Sequence, residues 1–166
     1  MHPCELDPEA LLAECAVRHT RRGGPGGQHR NKAATAVVLR HEPTGLIAEA
    51  NERRDQAVNL GRALFRLRLQ LALEVRTVRA AVPSPLWRQR CRNGRVSIAA
   101  EHPDFPRLLA EALDVATQTC GDVGPAAQDL GCTPTQLIRV LSLDRRGLAV
   151  LNSLRARSGL APLKSR

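Results

Sequence analysis

With 166 residues, the chain has room for one domain of ordinary size or two small ones, and its 25 Lys and Arg against 16 Asp and Glu leave a net charge of +9 and a pI near 10.8. The five cysteines are odd in number and contain no C-x-x-C pair, which leaves no pattern for a disulfide framework or a zinc site. No apolar run reaches membrane-spanning length and the N-terminus has no basic region followed by an apolar one, so a cytoplasmic monomer without metal or cofactor is expected.

The cationic excess is shared, four in residues 1–80 and five in residues 81–166. It points to a polyanionic partner, and 23 of the cations are Arg, which suits bidentate phosphate contacts. Residues 7–14 read as a short helix, with Asp7 at its N-cap and Pro8 at its first position. Cys15 to Thr20 is a β-prone run that feeds a loop with Arg21 and Arg22 at its base and the stretch Gly23-Gly24-Pro25-Gly26-Gly27-Gln28 beyond. These glycines leave the main chain open to close approach, and Pro25 fixes one φ. Next come His29, Arg30, Asn31 and Lys32. Residues 35–41 and 46–51 form two alternating β-prone runs around a Pro43-Thr44-Gly45 turn, a predicted hairpin. One of its faces is expected to lie under a long helix over 53–79, whose apolar stripe is Leu60, Leu64, Leu67, Leu71, Val75 and Val78. Arg62, Arg66, Arg68, Arg76 and Arg79 fall off that stripe, as either a solvated face or an RNA-facing one.

Residues 81–106 read as a basic linker holding a second hairpin. Asn93-Gly94 is its turn, residues 87–92 and 95–99 its strands, and Arg88, Arg90 and Arg92 share one strand face as candidate RNA contacts. Trp87 is either a core anchor or a base-stacking platform. Residues 107–166 are helical, with helices predicted over 107–119, 125–130, 134–143 and around Leu148 to Leu154. Ala127, Leu130, Gly131, Thr133, Leu137 and Val140 follow a helix-turn-helix pattern. The outward face of its second helix offers Thr135, Gln136 and Arg139, few contacts for a DNA reader. No acidic residue follows Asp144, and the end is basic.

The segment 20–32 has no Ser or Cys nucleophile beside a placed His and Asp, and no carboxylate lies between Glu14 and Glu42. Side-chain acid–base catalysis by this loop alone is therefore disfavoured. A backbone N–H and an amide can still stabilise charge on an attacked carbonyl if a partner completes the site. The ordered set of Gly-Gly-Pro-Gly-Gly-Gln-x-x-Asn-Lys, the Pro-Thr-Gly turn and Arg54-Asp55-Gln56 with Asn59 resembles the catalytic domain of class I peptide chain release factors and of the related ribosome-rescue hydrolases, over roughly residues 14–79. The resemblance implies an α+β domain over 1–80, in which a small sheet packs on a long helix and carries a protruding Gly-Gly-Gln loop, followed here by the helix-turn-helix-like helices. It further implies that Gly26, Gly27 and Gln28 enter the ribosomal peptidyl-transferase centre to hydrolyse peptidyl-tRNA, with Arg21, Arg22, Arg30, Asn31, Lys32, Arg54 and Gln56 as RNA contacts. A methyltransferase acting on Gln28 is an implied partner. Only 22 residues precede Gly23, too few for a codon-reading region, so codon-independent release is expected. The alternative is a non-catalytic, ribosome-associated or DNA-binding regulator that uses the helical half.

Overall fold

A computed structural model of the protein describes residues 1–20, 35–79 and 82–164. These form two compact units: Pro3–Leu71, and Ala72–Arg166 together with Met1–His2. The division falls inside a helix.

In the first unit, a 3-10 turn at Pro3–Glu5 leads into α1 (Pro8–Ala13), whose N-cap Asp7 accepts the Ala10 N–H at 2.8 Å. Strands β1 (Cys15–Thr20), β2 (Ala36–His41) and β3 (Ile47–Ala50) make an antiparallel sheet in the order β1-β2-β3. Cys15 lies opposite His41, Thr20 opposite Ala36, and Val37 opposite Ala50. The predicted alternation holds: Val37, Leu39, Ala48 and Ala50 are buried, while Arg40 and Ile47 are exposed. Helix α2 (Gln56–Glu74) supplies the buried Ala63, Leu64, Leu67 and Leu71 of this core. It ends five residues before the predicted Arg79, leaving Val78 92 % exposed.

That early stop has a long-range cause in the second unit. Val75, Thr77 and Val78 are β-branched and weak helix formers, and the Asp114 carboxylate accepts the Thr77 N–H at 3.0 Å and the Thr77 hydroxyl at 2.8 Å. Arg76 donates to the terminal helix carbonyls of Ala72 and Leu73, and to Asp114 at 3.3 Å. Arg79 Nε donates to Asp114 at 2.9 Å. A new partner for the backbone thus replaces the next turn of helix.

The second hairpin is shorter than predicted. Residues 85–90 are helical (α3, Pro85–Arg90), and only β4 (Cys91–Arg92) and β5 (Arg95–Val96) pair. Ser84 and Pro85 act as N-cap and first helical residue, a start signal that outweighs the alternating arginines. Ser84 Oγ accepts the Trp87 N–H at 3.1 Å and donates to the buried Glu111 at 2.5 Å. The Asn93-Gly94 turn is as expected, with φ values of 50° and 74° that a type I′ turn requires.

Helices α4 (Phe105–Gln118), α5 (Val123–Asp129), α6 (Pro134–Ser142) and α7 (Arg145–Arg157) complete the second unit. α4 is its buried centre and packs against α5, α6 and α7. Leu108, Leu109, Leu113, Leu130, Leu137 and Leu151 lie fully inside. The helix-turn-helix pattern is borne out: Ala127, Leu130, Leu137 and Val140 are buried, Gly131 has φ 63°, and Thr133 caps α6 by accepting the Gln136 N–H. Gly147 marks the tightest approach, since a Cβ there would lie 2.6 Å from the Leu141 carbonyl oxygen.

Candidate functional site: the stem of the glycine loop

Gly26, Gly27 and Gln28, with Arg21, Arg22, His29, Arg30, Asn31 and Lys32, lie outside the described residues. What the structure describes is the stem on which they are mounted. Thr20, the last residue of β1, is the cross-strand partner of Ala36, the first of β2, so the two ends of the loop segment sit side by side. The segment leaves and re-enters one sheet.

Two side chains from the start of α2 hold this stem. Asn59 is fully buried; its Nδ2 donates to the carbonyls of Thr35 (2.7 Å) and Arg53 (2.8 Å), and its Oδ1 accepts the Arg53 N–H (3.0 Å). It thereby ties the return strand of the loop to the entrance of the helix. Gln56 Nε2 donates to His19 Nδ1 at 2.6 Å, bracing the outgoing strand from the same helix end. The motif Arg54-Asp55-Gln56 with Asn59 is therefore a clasp for the loop: Asp55 accepts the Ala57 and Val58 N–H groups at the helix start, and Arg54 stands exposed. Replacing Asn59 with Ala is expected to destabilise the protein by about 3 kcal/mol, because a buried donor and two acceptors lose their partner. Urea unfolding measures this, and a loss under about 0.5 kcal/mol would show that water replaces the clasp.

A further contact lies at the opposite end of the sheet and carried no signal in the sequence. His41 is buried between Glu14 and Thr44. Its Nε2 is hydrogen-bonded to Glu14 Oε2 at 2.9 Å and its Nδ1 to the Thr44 hydroxyl at 2.8 Å. Thr44 also accepts the Leu46 N–H, and Gly45, at φ 71°, donates to the His41 carbonyl at 2.7 Å. The ring thus joins the end of α1 to the Pro-Thr-Gly turn.

The arginines off the α2 stripe largely serve the protein itself. Arg66 donates to the Glu49 carbonyl at 2.5 Å and pairs with Glu52, whose carboxyl this hydrogen bond holds below the usual carboxylate range. Arg68 donates to the Leu6 carbonyl at 2.6 Å. No thiolate nucleophile is offered by the half-buried cysteines: burial pushes Cys15 and Cys91 up, and pushes Cys132 up to about 12.

In the second unit, the expected strand face of Arg88, Arg90 and Arg92 does not exist. Arg88 and Arg90 lie on α3, and Arg90 pairs with Asp104 at 2.6 Å. Arg88 and Arg92 are exposed. Trp87 is fully buried, a core anchor unable to stack on a base. On α6, Gln136 Oε1 accepts the Val96 N–H at 3.2 Å and Arg139 Nη1 donates to the Val96 carbonyl at 2.9 Å. Two of the three side chains that a DNA reader would aim outward are thus bonded to β5, and Thr135 is exposed. The basic end also folds back: Asn152 exchanges hydrogen bonds with both backbone groups of Leu163, and Arg155 donates to the carbonyls of Ala161 and Gly121.

Comparison with known proteins gives the same picture as the stem. The RF-1 domain family model matches residues 9–96. The chain is similar to the chloroplastic peptide chain release factor PrfB1 of Arabidopsis thaliana, at 39% identity over 85 residues, covering 46% of this chain and 19% of the relative. To peptide chain release factor 1 of Verminephrobacter eiseniae it is 32% identical over 138 residues, 76% of this chain and 38% of the relative. To that of Leptothrix cholodnii it is 37% identical over 113 residues, 67% and 31% respectively. The chain therefore spans between about a fifth and two fifths of these relatives' lengths. No solved structure matches it. With a Gly-Gly-Gln segment mounted between β1 and β2, an Asn59 clasp and a family match over more than half its length, the chain belongs to the RF-1 domain family, the Gly-Gly-Gln domain of class I release factors.

Proposed function

We propose that the protein is a ribosome-dependent peptidyl-tRNA hydrolase of release-factor type that acts without reading a stop codon. The observation that carries this reading is the stem: Thr20 beside Ala36, with Asn59 and Gln56 bracing both strands, holds the base of a glycine segment from rigid elements. Rigid support matters because a loop acting through its main chain must be placed within a fraction of an ångström. Gly26 and Gly27 let the backbone approach the reacting ester closely. The Gln28 N–H donates to the oxygen that gains charge as water attacks the ester carbonyl, and the Gln28 side chain excludes larger nucleophiles. The carbonyl–ribose oxygen bond then breaks, releasing the peptide as a carboxylate and the tRNA with a free hydroxyl. The partners are large-subunit RNA and peptidyl-tRNA in the cytoplasm; Arg21, Arg22, Arg30, Asn31, Lys32 and Arg54 supply phosphate contacts, and a methyltransferase acts on Gln28. No cofactor takes part. The exposed Arg88 and Arg92 suit docking on RNA.

The test is release of labelled peptide from ribosomes carrying peptidyl-tRNA, with an empty, a sense or a stop codon in the decoding site. Wild type should release peptide in all three, and the Gly26→Ala, Gly27→Ala double variant in none. Release confined to stop codons would refute codon independence. Ribosome binding without release in any state would favour a non-catalytic regulator.

A further inference from the structure

Residues 75–100 contain six arginines and not one carboxylate. The fold divides them into two sets. Arg76 and Arg79 reach back to Asp114, and Arg90 to Asp104. Arg88, Arg92 and Arg95 are exposed and have no carboxylate partner among the described residues. Arg88 spends only its Nε, on the Pro83 carbonyl at 3.0 Å.

Arg92 and Arg95 are directly opposite one another on β4 and β5. Directly opposed strand residues project from the same face with Cα atoms about 5 Å apart, well inside the screening length of about 8 Å at physiological salt. Two like charges so placed oppose folding, and the chain could avoid this by pairing either with an acid. The opposite face of the ribbon is the docked one: Val96 is buried, and the half-buried Cys91 directs Sγ toward the Gly131 carbonyl at 3.5 Å. The ribbon is held on α6 by hydrogen bonds along its length. Thr133 N–H donates to the Gly94 carbonyl at 3.2 Å, and Gln136 and Arg139 clamp Val96; at the open end of the ribbon the Ser97 N–H donates to the Arg90 carbonyl of α3 at 2.9 Å. The two guanidiniums therefore stand on a rigid base, and binding through them orders little backbone.

We infer that the β4–β5 hairpin, with Arg92, Arg95 and the neighbouring Arg88, is a docking surface for the phosphate backbone of double-stranded RNA. Paired guanidinium forks match phosphate oxygens. An anion placed between them removes the repulsion that the free protein carries. Duplex backbone, rather than single-stranded bases, is indicated by the aromatic inventory. The chain has no Tyr, one Trp and two Phe; in this unit Trp87 and Phe105 are both buried, so no Trp, Tyr or Phe ring is offered for stacking. The choice of RNA over DNA rests on the ribosomal reading proposed above.

The test measures binding of the full chain to a short blunt-ended RNA duplex by fluorescence anisotropy across a series of KCl concentrations. The Arg92→Ala, Arg95→Ala variant should bind on the order of tenfold more weakly near physiological salt, and its slope of log affinity against log salt should fall by about 1.8, for two lost phosphate contacts. A control variant, Arg145→Ala, Arg157→Ala, removes the same charge from exposed positions of α7 and should retain the wild-type slope. The melting temperature of the hairpin variant should equal or exceed wild type, since a repulsive pair has gone. Equal losses in hairpin and control variants would mean diffuse attraction and overturn the inference. So would a DNA duplex or an acidic peptide bound more tightly than the RNA with the same dependence on Arg92 and Arg95. Duplex binding that needs the hairpin, in a protein that fails to release peptide, would refute the hydrolase reading and leave this surface standing. Release intact beside duplex binding indifferent to the hairpin would refute the surface alone.

Discussion

Gln28→Pro is expected to lower peptide release at least about 100-fold, while Gln28→Ala retains a measurable part of it. Proline removes one main-chain N–H and fixes φ, and losing a single donor to a developing oxyanion costs roughly 100- to 1,000-fold in other acyl-transfer sites. Alanine keeps the N–H and removes only the amide side chain, whose proposed role is to screen out nucleophiles other than water. The alanine variant should therefore also pass the peptide to added small nucleophiles more readily than wild type. Single-turnover release from peptidyl-tRNA-loaded ribosomes, with hydroxylamine present and absent, separates the two effects. Equal loss in both variants would contradict the backbone assignment. Ribosome binding and thermal melting measured on the same preparations show whether either variant fails earlier.

Asp114→Ala is expected to destabilise the helical unit by about 3–5 kcal/mol, the range for removing one partner of a buried charge pair. The Asp114 side chain is entirely inaccessible and accepts hydrogen bonds from Thr77 N–H, Thr77 Oγ1, Arg76 and Arg79. Arg79 is itself only 8% exposed, so its cation would stay in a dry site without this carboxylate. Asp114→Asn should cost less, since an amide keeps an acceptor for the Thr77 N–H. The order Asp114→Ala below Asp114→Asn below wild type in urea midpoint is the expected result; a midpoint unchanged by Asp114→Ala would mean that the cluster contributes nothing to holding the chain after α2.

Elements governed by neighbours in the chain were legible. Asp7-Pro8 starts α1, Thr133-Pro134 starts α6, alternation around Pro43-Thr44-Gly45 builds β2 and β3, and Asn93-Gly94 makes its turn. The arginines over 87–92 failed as a strand because Ser84-Pro85 and the distant Glu111 set a helix there. The long helix was drawn too far because the stripe of Val75 and Val78 continues the period, while the partner that ends it sits almost forty residues away.

By itself the sequence determined the family and the chemistry the loop can offer: the order and spacing of Gly-Gly-Gln, Pro-Thr-Gly and Asn59 are covalent facts, and a glycine backbone is open whatever surrounds it. Tertiary structure alone decided which of many arginines remain for a partner. An arginine's cost or use depends on whether a carboxylate or carbonyl lies within about 3 Å, and that distance is set by contacts between residues far apart in the chain. Arg68, Arg76, Arg79 and Arg90 found such partners inside the fold, whereas Arg92 and Arg95 were set against each other facing solvent.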